Sequence, residues 1–300
     1  MTQATATPPL TPPPDRNPRK PKLKVPAGAV DTHIHLFGPA SKYPFHPGSK
    51  YISEDVLPEH NLALQDVLGL SLSIVVSGGG YGTNYQHLTD VLRRFPDRFR
   101  GVALLPAETS REDIAMLDRL GVRGARFVSP HHGAHFPQLS STALIKRIVD
   151  AGWHIQFYPH RTDLPAFKDQ LLSLGTDVVL DHFAHIPAEG GVEQPAFRCL
   201  LDMLDSGRVW VKLSGPMRCT LEEPPYPSVS PLAQALVQHA PDRMVWGSDW
   251  PHVNMTGRTM PNDGDLIDLL HEWAPDEDVR RKILVDNPTR LYRLAHDIAK

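Results

Sequence analysis

The sequence predicts an α/β fold, a (β/α)8 TIM barrel preceded by a disordered tail. Eight short apolar segments recur over about 220 of the 300 residues, amphipathic segments lie between several of them, and glycines follow the amphipathic segments. Alternation of strands and helices favours a parallel sheet. Eight repeats within this length favour closure of the sheet into a barrel. A doubly wound open sheet is the alternative, but no GxGxxG motif follows the first strand.

The eight apolar segments are mostly continuous, as in strands that are buried on both faces. We expect these strands at Ala29–His35, Leu72–Ser77, Gly101–Leu105, Gly121–Phe127, Trp153–Tyr158, Asp177–His182, Arg208–Ser214 and Arg243–Asp249. Helices are expected at Gln86–Arg94, Arg111–Leu120, Ser141–Ala151, Leu164–Leu174, Pro195–Ser206 and Pro231–His239. Glycine commonly ends a helix, and four of the strands are preceded or opened by one, at Gly121, Gly152, Gly175 and Gly207.

Residues 1–26 differ in composition from the rest of the chain. They contain eight of the 30 prolines, five basic residues and one acidic residue, with few apolar side chains. Such a segment cannot bury enough apolar surface to fold, so we expect a disordered basic tail. The barrel domain then spans residues 27–300, with 26 basic and 33 acidic residues and a net charge of −7. A domain of that charge is not expected to bind nucleic acid.

The chain lacks the sequence features of secreted and membrane proteins. Cys199 and Cys219 are its only cysteines, too few for a disulfide framework. It has no run of about 18 apolar residues, and its N-terminus has no apolar signal-peptide core. We therefore expect a cytoplasmic protein that uses neither a membrane nor nucleic acid as a partner, and we leave its oligomeric state open.

Ionisable side chains alternate along the first predicted strand. Asp31, His33 and His35 are spaced two residues apart, so they share one face of the strand. In a barrel that face points inward, and the carboxyl end of the strand lies at the catalytic mouth. Two histidines at this spacing, preceded by an acid, indicate function rather than packing.

Two further strands end in ionisable residues, the sixth in Asp181-His182 and the eighth in Asp249. The carboxyl ends of barrel strands converge, so His33, His35, His182 and Asp249 are expected to meet in one site. Such a cluster is either a set of metal ligands or an acid–base group with an oxyanion site.

These motifs are similar to those of the amidohydrolase superfamily, in its amidohydrolase-related (amidohydrolase 2) branch. The motifs are DTHIH at 31–35, DH at 181–182 and GSDWPH at 247–252. Within that branch the chain resembles the 2-pyrone-4,6-dicarboxylate lactonases from about residue 26 to residue 293, through FGPASKYPFHPGSKY, GVRGARF, GWHIQFY, KLSGPMR, PNDGDLIDLL and LVDNPTRLY. The resemblance implies a hydrolase that opens the ring of a carboxylated lactone in aromatic compound catabolism.

The resemblance also bears on cofactors. Many superfamily members hold a divalent metal such as zinc with strand-1 histidines, a strand-5 histidine, sometimes a strand-6 histidine and the strand-8 aspartate. Here the strand-5 position is Tyr158, which is not a usual zinc ligand, and the pyrone lactonases work without a metal. We therefore expect no cofactor. If a metal is bound, its ligands would be His33, His35, His182 and Asp249.

A lactone hydrolase needs an activated water, a stabilised oxyanion and a proton for the leaving oxygen. We expect Asp249 to be the base that takes a proton from water. His33, His35 and His182 would donate hydrogen bonds to the developing oxyanion. Asp31 would fix the orientation or tautomer of a strand-1 histidine.

An anionic substrate needs fixed cations in a domain of negative net charge. Arg126 ends the fourth strand and Arg218 follows the seventh, and each can bind a carboxylate through two parallel hydrogen bonds. The lactonase pattern implies Tyr51, Ser77 and Tyr158 as neutral contacts. The lactonases carry a second basic residue shortly after the strand-4 arginine, whereas this chain has histidines there. A monocarboxylate or sugar-acid lactone is therefore an alternative substrate.

Three other functions are compatible with the sequence. A metal-dependent amidohydrolase or decarboxylase would use the same four-residue cluster, and an isomerase of sugar-acid lactones would use a similar pocket. The non-enzyme alternative is a degenerate barrel that acts as a binding module. The presence of ionisable groups at three strand ends disfavours that alternative.

Overall fold

The computed structural model describes residues 8–132, 136 and 138–294. Eight parallel strands form one sheet, and each strand pairs with the next along the chain. They are β1 (Val30–Ile34), β2 (Leu72–Val76), β3 (Phe99–Ala103), β4 (Val122–Val128), β5 (His154–Tyr158), β6 (Val178–Leu180), β7 (Val209–Ser214) and β8 (Met244–Gly247). The seam between β1 and β8 is closed by two backbone hydrogen bonds, from His35 to Trp250 at 2.7 Å and from Asp249 to His33 at 2.9 Å. The predicted barrel is therefore confirmed.

Helices follow the strands along the chain, and four of them come after β8. They are α1 (Pro58–Leu68), α2 (Gln86–Arg94), α3 (Arg111–Arg119), α4 (Thr142–Asp150), α5 (Leu164–Leu172), α6 (Pro195–Leu204), α7 (Ser230–His239), α8 (Asp263–Asp268), α9 (Leu270–Trp273), α10 (Glu277–Arg281) and α11 (Asn287–Leu291). The sequence predicts α2 to α7 and all eight strands with ends within two residues of those observed. It does not predict α1, whose buried face includes the polar Asn61 and Gln65, or the short helices α8 to α11.

Apolar side chains fill the barrel interior near the amino ends of the strands. Val30, Val102, Val179 and Trp210 belong to one buried cluster, which Tyr292 from the end of the chain also joins. This packing, which the buried ring of His154 joins through a contact with Tyr292, leaves the interior open toward the carboxyl ends of the strands. A functional site is therefore confined to that end, as in other barrels of this type.

The N-terminal segment differs from the expected disorder over residues 8–26. Thr11 donates a backbone hydrogen bond to Ile52 at 2.7 Å, and the Arg19 guanidinium pairs with Asp265 and Asp268 of α8. These partners lie far away in the sequence, so composition alone does not reveal them. Residues 1–7 lie outside the described part of the chain. In the described ranges, no helix combines the length and apolar character needed to cross a membrane.

Candidate active site

The four residues expected to form the site meet where the strands end. Nε2 of His33 lies 3.4 Å from Nε2 of His35. Oδ1 of Asp249 lies 3.9 Å from both of these nitrogens and 3.7 Å from Nε2 of His182. All four side chains are buried. Three imidazole nitrogens therefore surround a single carboxylate oxygen.

The backbone is strained where β6 and β8 deliver their side chains. His182 has φ of 49° and Asp249 has φ of 67°, both in the left-handed region that non-glycine residues rarely adopt. Such conformations cost about 1–3 kcal/mol each and cluster at functional sites. Gly215 after β7 approaches closely, since a Cβ there would lie 2.8 Å from Nδ1 of His182. The loops thus hold His182 and Asp249 in positions that local preference alone would not select.

Arg218 contacts the carboxylate of Asp249 rather than facing the cavity freely. Its Nε donates to Oδ2 of Asp249 at 2.8 Å and its NH2 lies 2.8 Å from the same oxygen, while its NH1 donates to the carbonyl of Val253 at 2.7 Å. Burial alone would raise the pKa of Asp249, but the Arg218 charge and the nearby imidazoles hold it well below its usual range. Arg218, expected to bind the substrate, therefore already pairs with Asp249, because a buried carboxylate needs a nearby cation.

Arg126 makes a second buried ion pair, with Asp181. Its Nε and NH2 lie 3.0 and 2.9 Å from Oδ2 of Asp181, while the amide of Gln156 donates to Oδ1 at 2.8 Å. Burial alone would raise the pKa of Asp181, but the Arg126 charge holds it well below its usual range. Arg126 is therefore fixed in place before any substrate arrives, in a position that still lines the cavity.

Lys212 lies beneath the histidines with no exposed side-chain surface. Its Nζ donates to the carbonyl of Thr32 at 2.8 Å and to Oε1 of Gln156 at 2.9 Å, and it lies 3.2 Å from Nδ1 of His33. Burial lowers the pKa of Lys212 to about 8. The sequence analysis assigns no role to this residue, although a lysine inside the apolar strand VWVKLS is an available signal.

The three site histidines are neutral near pH 7. Burial lowers the pKa of His35 and that of His182 to about 4, and it holds the pKa of His33 well below its usual range, with the Lys212 charge as the second cause. Nδ1 of His35 lies 2.8 Å from the carbonyl of Val76. That carbonyl can only accept, so the single ring proton of His35 lies on Nδ1. Its Nε2 presents a lone pair, which corrects the expectation that His35 donates to an oxyanion.

Asp31 also differs from expectation. Its carboxylate accepts from the backbone N–H groups of His33 and Ser248, both at 3.0 Å, and from the Ser248 hydroxyl at 2.6 Å. It holds the β1–β8 seam and contacts no imidazole ring through these bonds. Burial raises the pKa of Asp31 to about 7. The ring of His33 is instead held at Nδ1, by Lys212 and by Asp181 at 3.3 Å.

The cluster opens into a cavity of about 150 Å³. A cavity of that size holds a molecule as large as benzene, so a six-membered ring fits. The predicted residues that line it are His35, Tyr51, Arg126, Tyr158, His182, Arg218 and Asp249. Burial raises the pKa of Tyr51 and that of Tyr158 to about 12, so both phenols are neutral donors.

Two predicted site residues are not among those that line this cavity in the described part of the chain, Ser77 and the completely buried His33. The carbonyl of Ser77 accepts from Arg126 at 3.4 Å. Four polar lining residues go unassigned in the sequence analysis, Ser49, His132 and the exposed Lys50 and Asn254. They lie in the segments between a strand and the next helix, where no periodic pattern marks a side chain as part of a site.

Comparison with known proteins identifies the family of the chain. A family model described as amidohydrolase matches residues 30–294. The chain belongs to the amidohydrolase family. The predictions of the family and of an enzyme are confirmed.

This amidohydrolase is similar to curated enzymes that act on lactones. A 2-pyrone-4,6-dicarboxylate hydrolase of Comamonas testosteroni is 37% identical over 286 residues, which cover 92% of this chain and 93% of that protein. A 4-sulfomuconolactone hydrolase of Hydrogenophaga intermedia is 35% identical over 277 residues, 90% of each protein. An apo structure from Agrobacterium tumefaciens superposes with a TM-score of 0.83 at 28% identity, covering 92% of this chain and 99% of that one.

Proposed function

We propose that this amidohydrolase hydrolyses the ring ester of a carboxylated lactone related to 2-pyrone-4,6-dicarboxylate. The observation that carries the proposal is the position of Asp249, whose free Oδ1 faces three imidazole nitrogens at the wall of a ring-sized cavity. Arg126 and Arg218 line the same cavity and supply positive charge for a carboxylate substituent. The relatives named above act on anionic lactones, which supports this substrate class.

The geometry suggests how water is activated. Oδ1 of Asp249 and Nε2 of His35 are both acceptors and lie 3.9 Å apart, so one water can donate a hydrogen to each. Its oxygen lone pair then faces the lactone carbonyl. Asp249 takes one proton as the new C–O bond forms. The ring C–O bond then breaks, and the leaving oxygen receives that proton.

The oxyanion of the tetrahedral intermediate needs donors on the other side of the carbonyl. Nε2 of His33 and that of His182 face the cluster, and Nδ1 of His182 lies 2.9 Å from the Ser214 hydroxyl. If that hydroxyl donates, the ring proton of His182 lies on Nε2 and points at the cluster. One such donor is typically worth on the order of 10²–10³ in rate.

Arg218 links substrate binding to the strength of the base. A substrate carboxylate in the cavity competes with Asp249 for the guanidinium N–H groups. As hydrogen bonds shift to the substrate, the positive charge that holds the pKa of Asp249 low is shared with a second anion. Asp249 then becomes a stronger base when an anionic lactone is bound.

The four side chains of the cluster are the candidate ligands for a divalent ion such as zinc. Oδ1 of Asp249 lies 3.7–3.9 Å from the three imidazole nitrogens, but of these four side chains only His33, His182 and Asp249 offer ligand atoms that all lie within 4.8 Å of one another. A metal-bound histidine usually donates its other N–H to an acceptor, which His35 does toward Val76. His33 instead faces the Lys212 ammonium, and Arg218 already binds Asp249. This set does not fit a metal, and we propose hydrolysis without one.

The experiment is an assay of the purified protein in chelator-treated buffer against a panel of lactones. The panel contains 2-pyrone-4,6-dicarboxylate, a monocarboxylated lactone, a sugar-acid lactone and an uncharged lactone, and NMR identifies each product. We expect ring opening of at least one anionic lactone at a rate that the chelator does not change. Activity that disappears with chelation and returns with zinc would instead identify a metal-dependent enzyme. A product with an intact ring would identify an isomerase, and binding without turnover a binding module.

A further inference from the structure

We infer that Lys212 is a positioning residue that keeps the ring proton of His33 on Nε2, which makes the cluster a hydrogen-bond donor site and opposes metal binding. The inference deepens the proposed function and rests on it for the catalytic consequence. The hydrogen-bond argument itself requires no substrate.

The donors of Lys212 can be assigned one by one. An ammonium group has three N–H donors and no acceptor. Two of them go to the carbonyl of Thr32 and to Oε1 of Gln156. The orientation of that amide is fixed at its other end, because its nitrogen donates to Oδ1 of Asp181 at 2.8 Å. The third N–H of Lys212 is left for Nδ1 of His33 at 3.2 Å.

This assignment fixes the tautomer of His33. Its Nδ1 accepts from Lys212 and therefore carries a lone pair, so a neutral ring has its proton on Nε2. That proton faces Nε2 of His35 at 3.4 Å, which is an acceptor because Nδ1 of His35 donates to Val76 at 2.8 Å. The groups form one chain from Lys212 through His33 and His35 to Val76, in which each donates to the next. A bound carbonyl oxygen can replace His35 as the acceptor of the His33 proton.

Asp181 is the group that would favour the opposite tautomer. Its Oδ1 lies 3.3 Å from Nδ1 of His33 and could accept a proton from it. With Lys212 present, the Asp181 carboxylate already accepts hydrogen bonds from Gln156 and Arg126. The Lys212 ammonium also lies 3.6 Å from Oδ1 of Asp181. Without Lys212, His33 can donate from Nδ1 to Asp181. Nε2 of His33 then carries a lone pair, which faces the lone pair on Nε2 of His35.

Loss of Lys212 would therefore change the cluster from a hydrogen-bond donor site into a site that presents lone pairs. His33 and His35 would both present Nε2 lone pairs beside the anionic Asp249, and one buried positive charge would be gone. The Ser214 hydroxyl can also accept from Nδ1 of His182, in which case His182 presents a further Nε2 lone pair, and Arg218 occupies only Oδ2 of Asp249. Together these are the nitrogen and carboxylate ligands that zinc binds. The same change removes the His33 proton that stabilises an oxyanion, so metal binding and loss of metal-free catalysis should appear together.

The first test measures the tautomer in the wild-type protein and needs one variant only to assign the signal. In a sample with 15N-labelled histidine, protonated and unprotonated imidazole nitrogens have well-separated shifts. We expect the His33 spectrum, assigned by its loss in His33→Gln, to show a bare Nδ1 and a protonated Nε2. A protonated Nδ1 of His33 in the wild-type protein would overturn the inference, whatever the Lys212 variants do.

The second test compares Lys212→Met with Lys212→Gln, whose amide can still donate to Nδ1 but carries no charge. In Lys212→Met we expect the His33 proton to move to Nδ1, and zinc retained after gel filtration to rise from near zero to about one per chain. Adding His182→Ala to that variant should remove the zinc. We also expect kcat without metal to fall by about 10²–10³ with little change in KM, and Lys212→Gln to retain part of the activity. Lys168→Met, a lysine on α5 paired with Asp202, is the matched control.

An unchanged His33 spectrum and no zinc in Lys212→Met would contradict the inference. The tautomer and zinc measurements involve no lactone, so they remain decisive if the wild-type protein turns over no lactone. In that case the proposed function fails while the assignment to Lys212 stands. If lactones are hydrolysed but Nδ1 of His33 is protonated, the function stands and the inference fails.

Discussion

Arg218 binds only one of the two carboxylate oxygens of Asp249. Its Nε and NH2 both lie 2.8 Å from Oδ2, and Oδ1 is left to face the imidazoles of His33, His35 and His182 at 3.7–3.9 Å. Arg218 therefore fixes the carboxylate through Oδ2 and leaves Oδ1 available to take a proton. It also explains how a buried aspartate stays ionised, since the adjacent cation offsets the loss of hydration.

Lys50 is expected to select substrates with a second anionic group. It is an exposed cation at the cavity wall, and within the described residues it has no carboxylate partner. Lys50→Met should raise KM about two- to fivefold for a doubly charged lactone, the range of an exposed ion pair. KM for a monocarboxylated lactone should not change.

Lys146→Met is the control for that measurement, because Lys146 is an exposed lysine of α4 that pairs with Asp150. Equal KM values for wild type and Lys50→Met on both lactones would show that Lys50 does not contact the substrate. The thermal midpoint should be unchanged in both variants, since both side chains are exposed.

Arg126 is expected to bind the substrate carboxylate by its remaining N–H groups while it holds Asp181. Lysine keeps the charge but cannot reproduce the two-pronged geometry. We therefore expect Arg126→Lys to lower kcat/KM at least tenfold for a carboxylated lactone, the loss of about one charge-assisted hydrogen bond, with a smaller effect on an uncharged lactone. Arg111→Lys, at an exposed pair with Asp150, is the control. The same loss on charged and uncharged lactones would mean that Arg126 acts only through Asp181.

His154 should make the protein less stable in mild acid. It is buried at the start of β5, and neither ring nitrogen has a hydrogen-bond partner among the described residues. Burial, and after it the Lys212 charge, lower its pKa to about 3. Its pKa in the unfolded chain is about 6.5, so below that pH the unfolded state binds the extra proton. Stability is therefore lost as pH falls from about 6.5 toward 3.

Replacing His154 removes this contribution. Between pH 7 and pH 5 the wild-type protein should lose about 2 kcal/mol more unfolding free energy than His154→Leu, measured by urea denaturation at both values. His239→Leu, at an exposed histidine paired with Asp205, should keep the wild-type pH dependence. An identical pH dependence in wild type and His154→Leu would contradict the assignment.

The sequence was sufficient for the barrel and for the position of the main cluster. Strands buried on both faces are continuous apolar runs, and the polar residues His182 and Asp249 stand out where two such runs end. His33 and His35 alternate along a strand, so their common direction follows from strand geometry. These signals are local, and each can be found within a window of a few residues.

The contacts between charged side chains could be identified only from the structure. Lys212 and His33 are 179 residues apart, and no local pattern connects them. Arg126 and Arg218 were recognised as cations at strand ends, but their carboxylate partners come from other strands. The same reason applies to Arg19, whose pairing with α8 holds a segment that composition marks as disordered.

The central claim is that Asp249 activates water without a metal, and Asp249→Asn tests it most directly. The substitution keeps the shape of the side chain and removes its capacity to take a proton. With both proteins in chelator-treated buffer and their folds compared by circular dichroism, we expect kcat for an anionic lactone to fall by about 10²–10⁴. Asp205→Asn, at an exposed aspartate, should retain wild-type kcat. A folded Asp249→Asn protein with wild-type kcat would contradict the claim.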